Sequence, residues 1–279
     1  MPMKFGTAIK LVEQELLLLR EDIVAGRKER WERVLTSIAH HHAYRFENVL
    51  LIEVQQPGST VVRTEAHWNQ VARKVEERTP PIYVIDGEAD KTRRLAFGEH
   101  WLDRHYFSPP MVEVFDIRDT LGQWPDRPES HPGSPRGSVR ELLDWTERAA
   151  ARHGIDVIYD ELNGSDGYSL GGVVVAERRL DCSERFLTVL SLLAEELVRA
   201  CRSSASGVGN VQESLAAGCI THIVTSAVGF DPIPVPPPTP PGPDELGVVA
   251  LTALLARVQT VASIILNGLQ AELAEDLPV

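Results

Sequence analysis

The chain has 279 residues, 43% of them hydrophobic and 24% charged, an ordinary globular balance, with a formal net charge of −12. That length builds one or two cores, and global acidity excludes a nonspecific pull toward DNA or an anionic membrane. The charge is uneven, because residues 1–150 hold 21 of the 28 Lys and Arg, so this half is where a polyanion would be met.

Residues 7–25 place Ile9, Val12, Leu16, Leu19 and Ile23 at helical spacing, and a second helix is expected over 28–42 through Trp31, Val34, Leu35 and Ile38. A short apolar segment follows and stops at Pro57-Gly58. A third helix is expected over 65–77, then strands at 82–85 (IYVI) and 111–117 (MVEVFDI), with a polar, irregular 86–108 between them. WPDRPESHPGSPRGS reads as a linker. Ser138 and Glu141 fit a capping box for a helix to about Arg152, ended by Gly154. Strands are expected at 155–159 and 172–176, then a long helix capped by Asp181 or Ser183, and another over 210–227. PIPVPPPTPPGP is stiff and extended, and Asp244 caps a last helix with an apolar stripe through Leu251, Leu255, Val258, Ile265 and Leu269.

The expected domains are 1–123, a linker 124–138, a second domain 139–231, a polyproline tether 232–243 and a C-terminal docking helix 244–279. Helices and strands are segregated, which argues an α+β fold. An odd set of cysteines (Cys182, Cys201, Cys219) with no close pair argues against disulfides and for a reducing, cytoplasmic setting. Charges interrupt the Leu-rich start, so no secretory leader is expected. No run reaches the roughly 18 apolar residues of a membrane span, so no membrane is expected as a partner.

LLAEELVRACRSS (192–204) raises the sharpest question of chemistry. Glu195 and Arg199 stand i,i+4, the spacing at which a zinc-peptidase helix presents two histidines with a Glu between them. Arg cannot ligate a cation, so an intrahelical ion pair is the expected outcome. Cys201, Cys219 and His222 are an alternative, softer metal set. The run His40, His41 and His42 cannot converge on one ion, because consecutive helical residues point in different directions. The N-terminal half also interleaves aromatics with basic and amide groups, as single-strand binders do, although the same aromatics at helical spacing suit a core.

RWERVLTSIAHHHAYRFENVLLIEVQQPGSTVVRTEAHWNQVARKV resembles the N-terminal domain of ArdC-type antirestriction proteins. His42, Tyr44, Asn48, Leu50, Leu51, Gln55, Pro57, Trp68, Arg73 and Val75 fall in register with that family's pattern, and VEVFDIRDTLGQWP (112–125) resembles its ending. GYSLGGVVVAERRLDCSERFLTVLSLLAEELVRA, ESLAAGCITHIVTSAVGFD and LLARVQTVASIILNGL are similar to the strand and helices of its second, zincin-like domain of the ImmA/IrrE or SprT sort. The resemblance implies a single-stranded-DNA-binding domain followed by a metallopeptidase fold; together with the interleaved aromatic, basic and amide residues it makes His42, Tyr44, Arg45, Asn48, Gln55, Arg63, Trp68, Arg73 and Lys74 the candidate contacts. The departures are specific. Glu195 and Arg199 replace both histidine ligands, Ala216 and Gly218 stand near the acidic ligand position, and only Glu196 keeps its place. EERTPP (76–81) replaces a Gly- and Lys-rich loop.

The resulting expectation is a non-catalytic DNA-binding protein with a metal-free pseudo-peptidase domain and no cofactor. Two alternatives stay open: a scaffold that binds protein through the polyproline segment or last helix, and a metalloenzyme using the Cys/His set.

Overall fold

The computed structural model describes residues 2–87, 109–123, 137–201, 210–231, 233–238 and 247–275. The fold is α+β. Contacts divide the chain into two compact units, Met1–Pro132 with Thr239–Val248, and Gly133–Pro238 with Val249–Val279.

In the first unit, α1 (Phe5–Val24) buries Ala8, Val12, Leu16, Leu19 and Ile23 along one stripe, and α2 (Glu29–His40) buries Trp31, Val34, Leu35 and Ile38. Arg30 joins them, its guanidinium 2.6 Å from Glu15 and 2.8 Å from Asp22. Arg30 and Arg27 together hold the Asp22 carboxyl below its usual range. The apolar stretch before Pro57 is a helix, α3 (Phe46–Gln55). Val49, Leu50, Leu51 and Ile52 are all buried, so this helix is apolar around most of its circumference and shows little amphipathic periodicity.

A three-stranded sheet stands in the order β1 (Val62–Arg63), β4 (Met111–Asp116), β3 (Ile82–Ile85), antiparallel throughout, with Ile82 opposite Val114 and Val62 opposite Asp116. Ile52, Val62, Ile82, Val84 and Val114 form its core. The third helix is shorter than expected. The chain leaves α4 (Glu65–Gln70) at Ala72, which takes a left-handed φ of 57°. Lys74 and Val75 then pair as β2 with β5 (Thr120–Leu121) instead of continuing the helix. The polar stretch 88–108, most of the linker and Asp244 lie outside the described residues.

Side chains close this small sheet. β3 is an outer strand, and its free backbone groups meet two amides from α3. Asn48 donates to Ile85 O at 2.9 Å and accepts from Ile85 N at 2.8 Å. Gln55 donates to Tyr83 O at 2.8 Å and accepts from Tyr83 N at 3.0 Å. Each amide pairs with one residue as a neighbouring strand would, so the edge is sealed. Arg73 is buried and donates to the carbonyls of Ile117, Thr120, Gly122 and Gln123 and to Thr120 Oγ1. Gly122 permits this, because with φ at 136° its backbone passes so close that a Cβ would lie 2.8 Å from Ala72 O.

In the second unit, Ser138 and Glu141 form the expected capping box on α5 (Val139–Arg152). The sheet order is β6 (Asp156–Asp160), β8 (Val173–Glu177), β7 (Gly167–Leu170), with β6 parallel and β7 antiparallel to β8. β7 was not expected, because its mixture of Gly and Ser has weak strand propensity and cross-strand pairing with β8 decides it. Asp181 caps α6 (Cys182–Ala200) in a second capping box with Glu184, followed by α7 (Asn210–Ala227) and α8 (Val248–Glu275). By length and composition Val248–Leu269 could cross a membrane, which corrects the expectation that no run would qualify. Eight of its apolar side chains, Leu251 to Leu269, are nonetheless buried in the fold, and Gly268 O accepts from Arg152 on α5.

Asn48→Leu strips both partners from Ile85 and is expected to cost about 2–4 kcal/mol, read from the urea midpoint. Asn48→Asp sets a carboxylate against the Ile85 carbonyl and should do no better. A second expectation concerns His41, whose Nε2 lies 3.1 Å from Ser59 O and whose burial pushes its pKa down to about 3. Between about pH 6.5 and 3 the unfolded chain binds this proton and the folded chain does not, so the contribution falls as pH drops, by at most about 1.4 kcal/mol per pH unit. Urea midpoints should therefore fall more steeply with acidification in wild type than in His41→Gln; equal slopes would contradict it.

Candidate functional site

The segment LLAEELVRA lies on α6 where β7 crosses it. Gly167 lets the strand approach, since a Cβ there would meet Leu192 Cδ1 at 2.8 Å. Two residues on, Ser169 faces the helix. Its hydroxyl donates to Glu195 Oε2 at 3.2 Å and accepts a short hydrogen bond from Arg199. Arg199 also lies 3.3 Å from Glu195 Oε2 and 2.8 Å from Glu196 Oε1. The contact with Glu196 is an ion pair without hydrogen-bond alignment. Glu196 Oε2 accepts from Gly172 N at 3.1 Å, at the turn between β7 and β8.

Four side chains and one backbone amide thus form a closed network. The expected Glu195–Arg199 pair is present, but its neighbours were not legible in the motif: Ser169 and Gly172 come from β7 and the turn after it, more than 20 residues earlier, and Glu196 takes the shorter ionic contact. Glu196 is only 8% exposed on its side chain, while Glu195 and Arg199 remain about one third exposed.

The donor set does not fit the zinc ion of an active metallopeptidase. Position 199 supplies a permanent cation, Ser169 and Arg199 occupy Glu195, and Ala216 and Gly218 on α7 offer no donor atom. Glu196 sits between Arg199 and the Gly172 amide, which fixes the position of its side chain. The alternative Cys/His set is not gathered either. Cys201 is exposed at the end of α6. Cys219 is buried, its thiol pushed up to about 12 by desolvation. His222 Nδ1 is 2.7 Å from Ile233 O. Among the described residues no group of three or more His, Cys, Asp or Glu is placed to hold a metal ion.

The candidate DNA contacts divide in two. Asn48, Gln55 and Arg73 spend their polar groups on the sheet and its turns, as described above. Trp68 is buried and donates to Phe115 O at 2.9 Å; Tyr44 donates to Val62 O at 3.0 Å; His42 Nδ1 is 3.2 Å from Ala39 O. Their spacing in the sequence reflects strand and helix packing. Three cations lie nearer solvent. Lys74 is exposed, Arg45 is 3.3 Å from Glu47, and Arg63 is half-buried beside Tyr44, donating to Val62 O.

No family model matches the chain, and no curated protein does. Among solved structures it is similar to the antirestriction ArdC protein from plasmid R388. The Mn(II)-bound form gives a TM-score of 0.46 at 16% identity, and the metal-free form 0.47 at 14%. Each comparison covers 96% of this chain and 99% of the other.

Arg199→Met leaves the buried Glu196 without its cation and is expected to destabilise the chain by about 1–3 kcal/mol, with part of the loss recovered by adding Glu196→Gln. The double change Glu195→His with Arg199→His is expected to bind no stoichiometric zinc, because α7 supplies no third donor at positions 216 and 218. Elemental analysis of the double variant, purified without a polyhistidine tag, checks this.

Proposed function

We propose that this chain acts by binding nucleic acid, single-stranded DNA in particular, and that its second unit is a peptidase-like scaffold held together by an ion pair in place of a metal. One observation carries the non-catalytic half: Arg199 lies between Glu195, Glu196 and Ser169, where a metallopeptidase of this layout would direct a ligand at zinc. A guanidinium there supplies the positive charge that a metal would otherwise bring. It does so without generating an activated water.

The N-terminal sequence motifs and the concentration of basic residues in the first 150 positions support the DNA half. Because Asn48, Gln55, Trp68 and Arg73 serve the fold, contact with phosphates falls to the outward cations Arg45, Arg63 and Lys74. Contact of this kind tracks the backbone and reads no sequence. Antirestriction in a reducing cytoplasm is the cellular setting proposed, on the strength of those motifs. The polyproline segment lends less to a scaffold reading: its Val235 packs near Gly218 and its Ile233 carbonyl meets His222, both on α7.

The test is a titration of a labelled single-stranded oligonucleotide at two salt concentrations, with metal content measured on the same preparation. Binding should weaken with salt, and Arg63→Ala with Lys74→Ala should lower the log–log salt slope by about 1.4, at about 0.7 per lost phosphate contact. No binding at low salt, or binding indifferent to salt, rejects the DNA half. Near one metal ion per chain rejects the scaffold half.

A further inference from the structure

In the first unit, α2, α3 and the turn after α3 border an open cavity of about 270 Å3, lined in part by Glu29, Glu32, Ser37, His40, Glu53 and Ser59. None of these residues belongs to the α6 network or to the cations assigned to DNA. Glu53 is the least accessible of the three carboxylates, at 8% exposure. Its partners are loose for so buried a group, Gly58 N at 3.5 Å and Arg33 Nε at 3.7 Å, and Arg33 itself is more than half exposed. Ser37, at 4% exposure, also lines the cavity. Its hydroxyl lies close to the Glu53 carboxyl, yet no aligned hydrogen bond satisfies it. Ser37 and Glu53 are thus loosely held partners of one another, and because buried polar groups in folded proteins are nearly always satisfied, this pair has room for a further donor.

The chemistry of that donor follows from the wall. Among the described residues, Glu29, Glu32 and Glu53 line the cavity with Arg33 as the one lining cation, Lys28 pairs with Glu32 at 3.4 Å, and burial pushes the His40 pKa down. An anion is therefore repelled. A metal ion is not favoured, since no three His, Cys, Asp or Glu groups are suitably placed among the described residues. The space is too small for a nucleotide or folded peptide but admits a short alkyl chain. An ammonium brings three donors and no acceptor to a wall rich in acceptors.

We propose that this cavity binds a primary alkylammonium group, seated between the Glu53 carboxylate and the Ser37 hydroxyl, with Glu29 and Glu32 at the rim and Arg33 swung toward solvent. The group could be carried by a free diamine or by a lysine side chain of another protein; the chemistry is shared and the experiment separates the sources. Burial also raises the Glu53 pKa, so an arriving cation would favour the charged carboxylate.

Calorimetric titration of the full chain with 1,4-diaminobutane, Nα-acetyl-lysine amide and 1,4-butanediol tests this. One saturable site per chain is expected for at least one amine and none for the diol. A diamine preference identifies a free ligand, and binding of the lysine amide identifies a side chain; either outcome supports the site. Glu53→Gln should weaken binding at least about tenfold and Ser37→Ala by less. Should Glu53→Gln fail to fold by circular dichroism, Glu32→Gln and Ser37→Ala carry the test. No saturation by either amine up to about 10 mM, equal binding of the diol, or undiminished affinity in the folded variants would overturn the proposal.

Discussion

A small sheet with an open edge is a liability, and the first unit depends on how that edge is closed. β3 is short and outermost, and its outward N–H and C=O groups would otherwise pair with water or another chain. Asn48 and Gln55 stand seven residues apart, two turns along α3, and their amides engage Ile85 and Tyr83 as a fourth strand would. This fixes α3 against the sheet, brings Ile52 to the cluster with Val62, Val84 and Val114, and sets the register in which Tyr44 reaches Val62 O. Arg73 does related work at the other small ladder. Five donors meet carbonyls and one hydroxyl, so the β2–β5 turn is gathered around a buried charge.

The second unit answers a different constraint. Two acidic side chains of one helix beside a strand turn need a counter-charge. Here the balance is local. Arg199 lies one turn from both carboxylates, Ser169 bridges Glu195 and Arg199, and the Gly172 amide meets Glu196. Partial exposure of Arg199 and Glu195 softens the desolvation that would make such a pair costly, whereas Glu196 is buried and needs both its partners.

The elements most legible in the sequence were those with local causes. The capping box at Ser138–Glu141 involves residues three apart, Asp181 was one of the two caps offered for α6, and the IYVI strand is β-branched and aromatic. The helix over 46–55 announced its apolarity but not its type, because a fully buried helix loses its polar face. The expected extension of α4 to residue 77 failed at Ala72, where pairing with β5 outweighed helical spacing. At the candidate site, the Glu195–Arg199 pair was legible because both residues share one helix face; Ser169 and Gly172 were not, because no spacing rule links them to α6.

The sequence by itself determined the helical faces, the caps, the uneven charge and the placement of Glu195 and Arg199 on one helix face, since each depends on residue type and near spacing. Tertiary structure alone decided what the polar motif residues do. Asn48, Gln55, Trp68 and Arg73 have the composition of a nucleic-acid face, yet each has a backbone partner 28 to 50 positions away. A buried amide, indole or guanidinium must find a partner within its own fold, and which backbone stands within reach is set by strand order and packing.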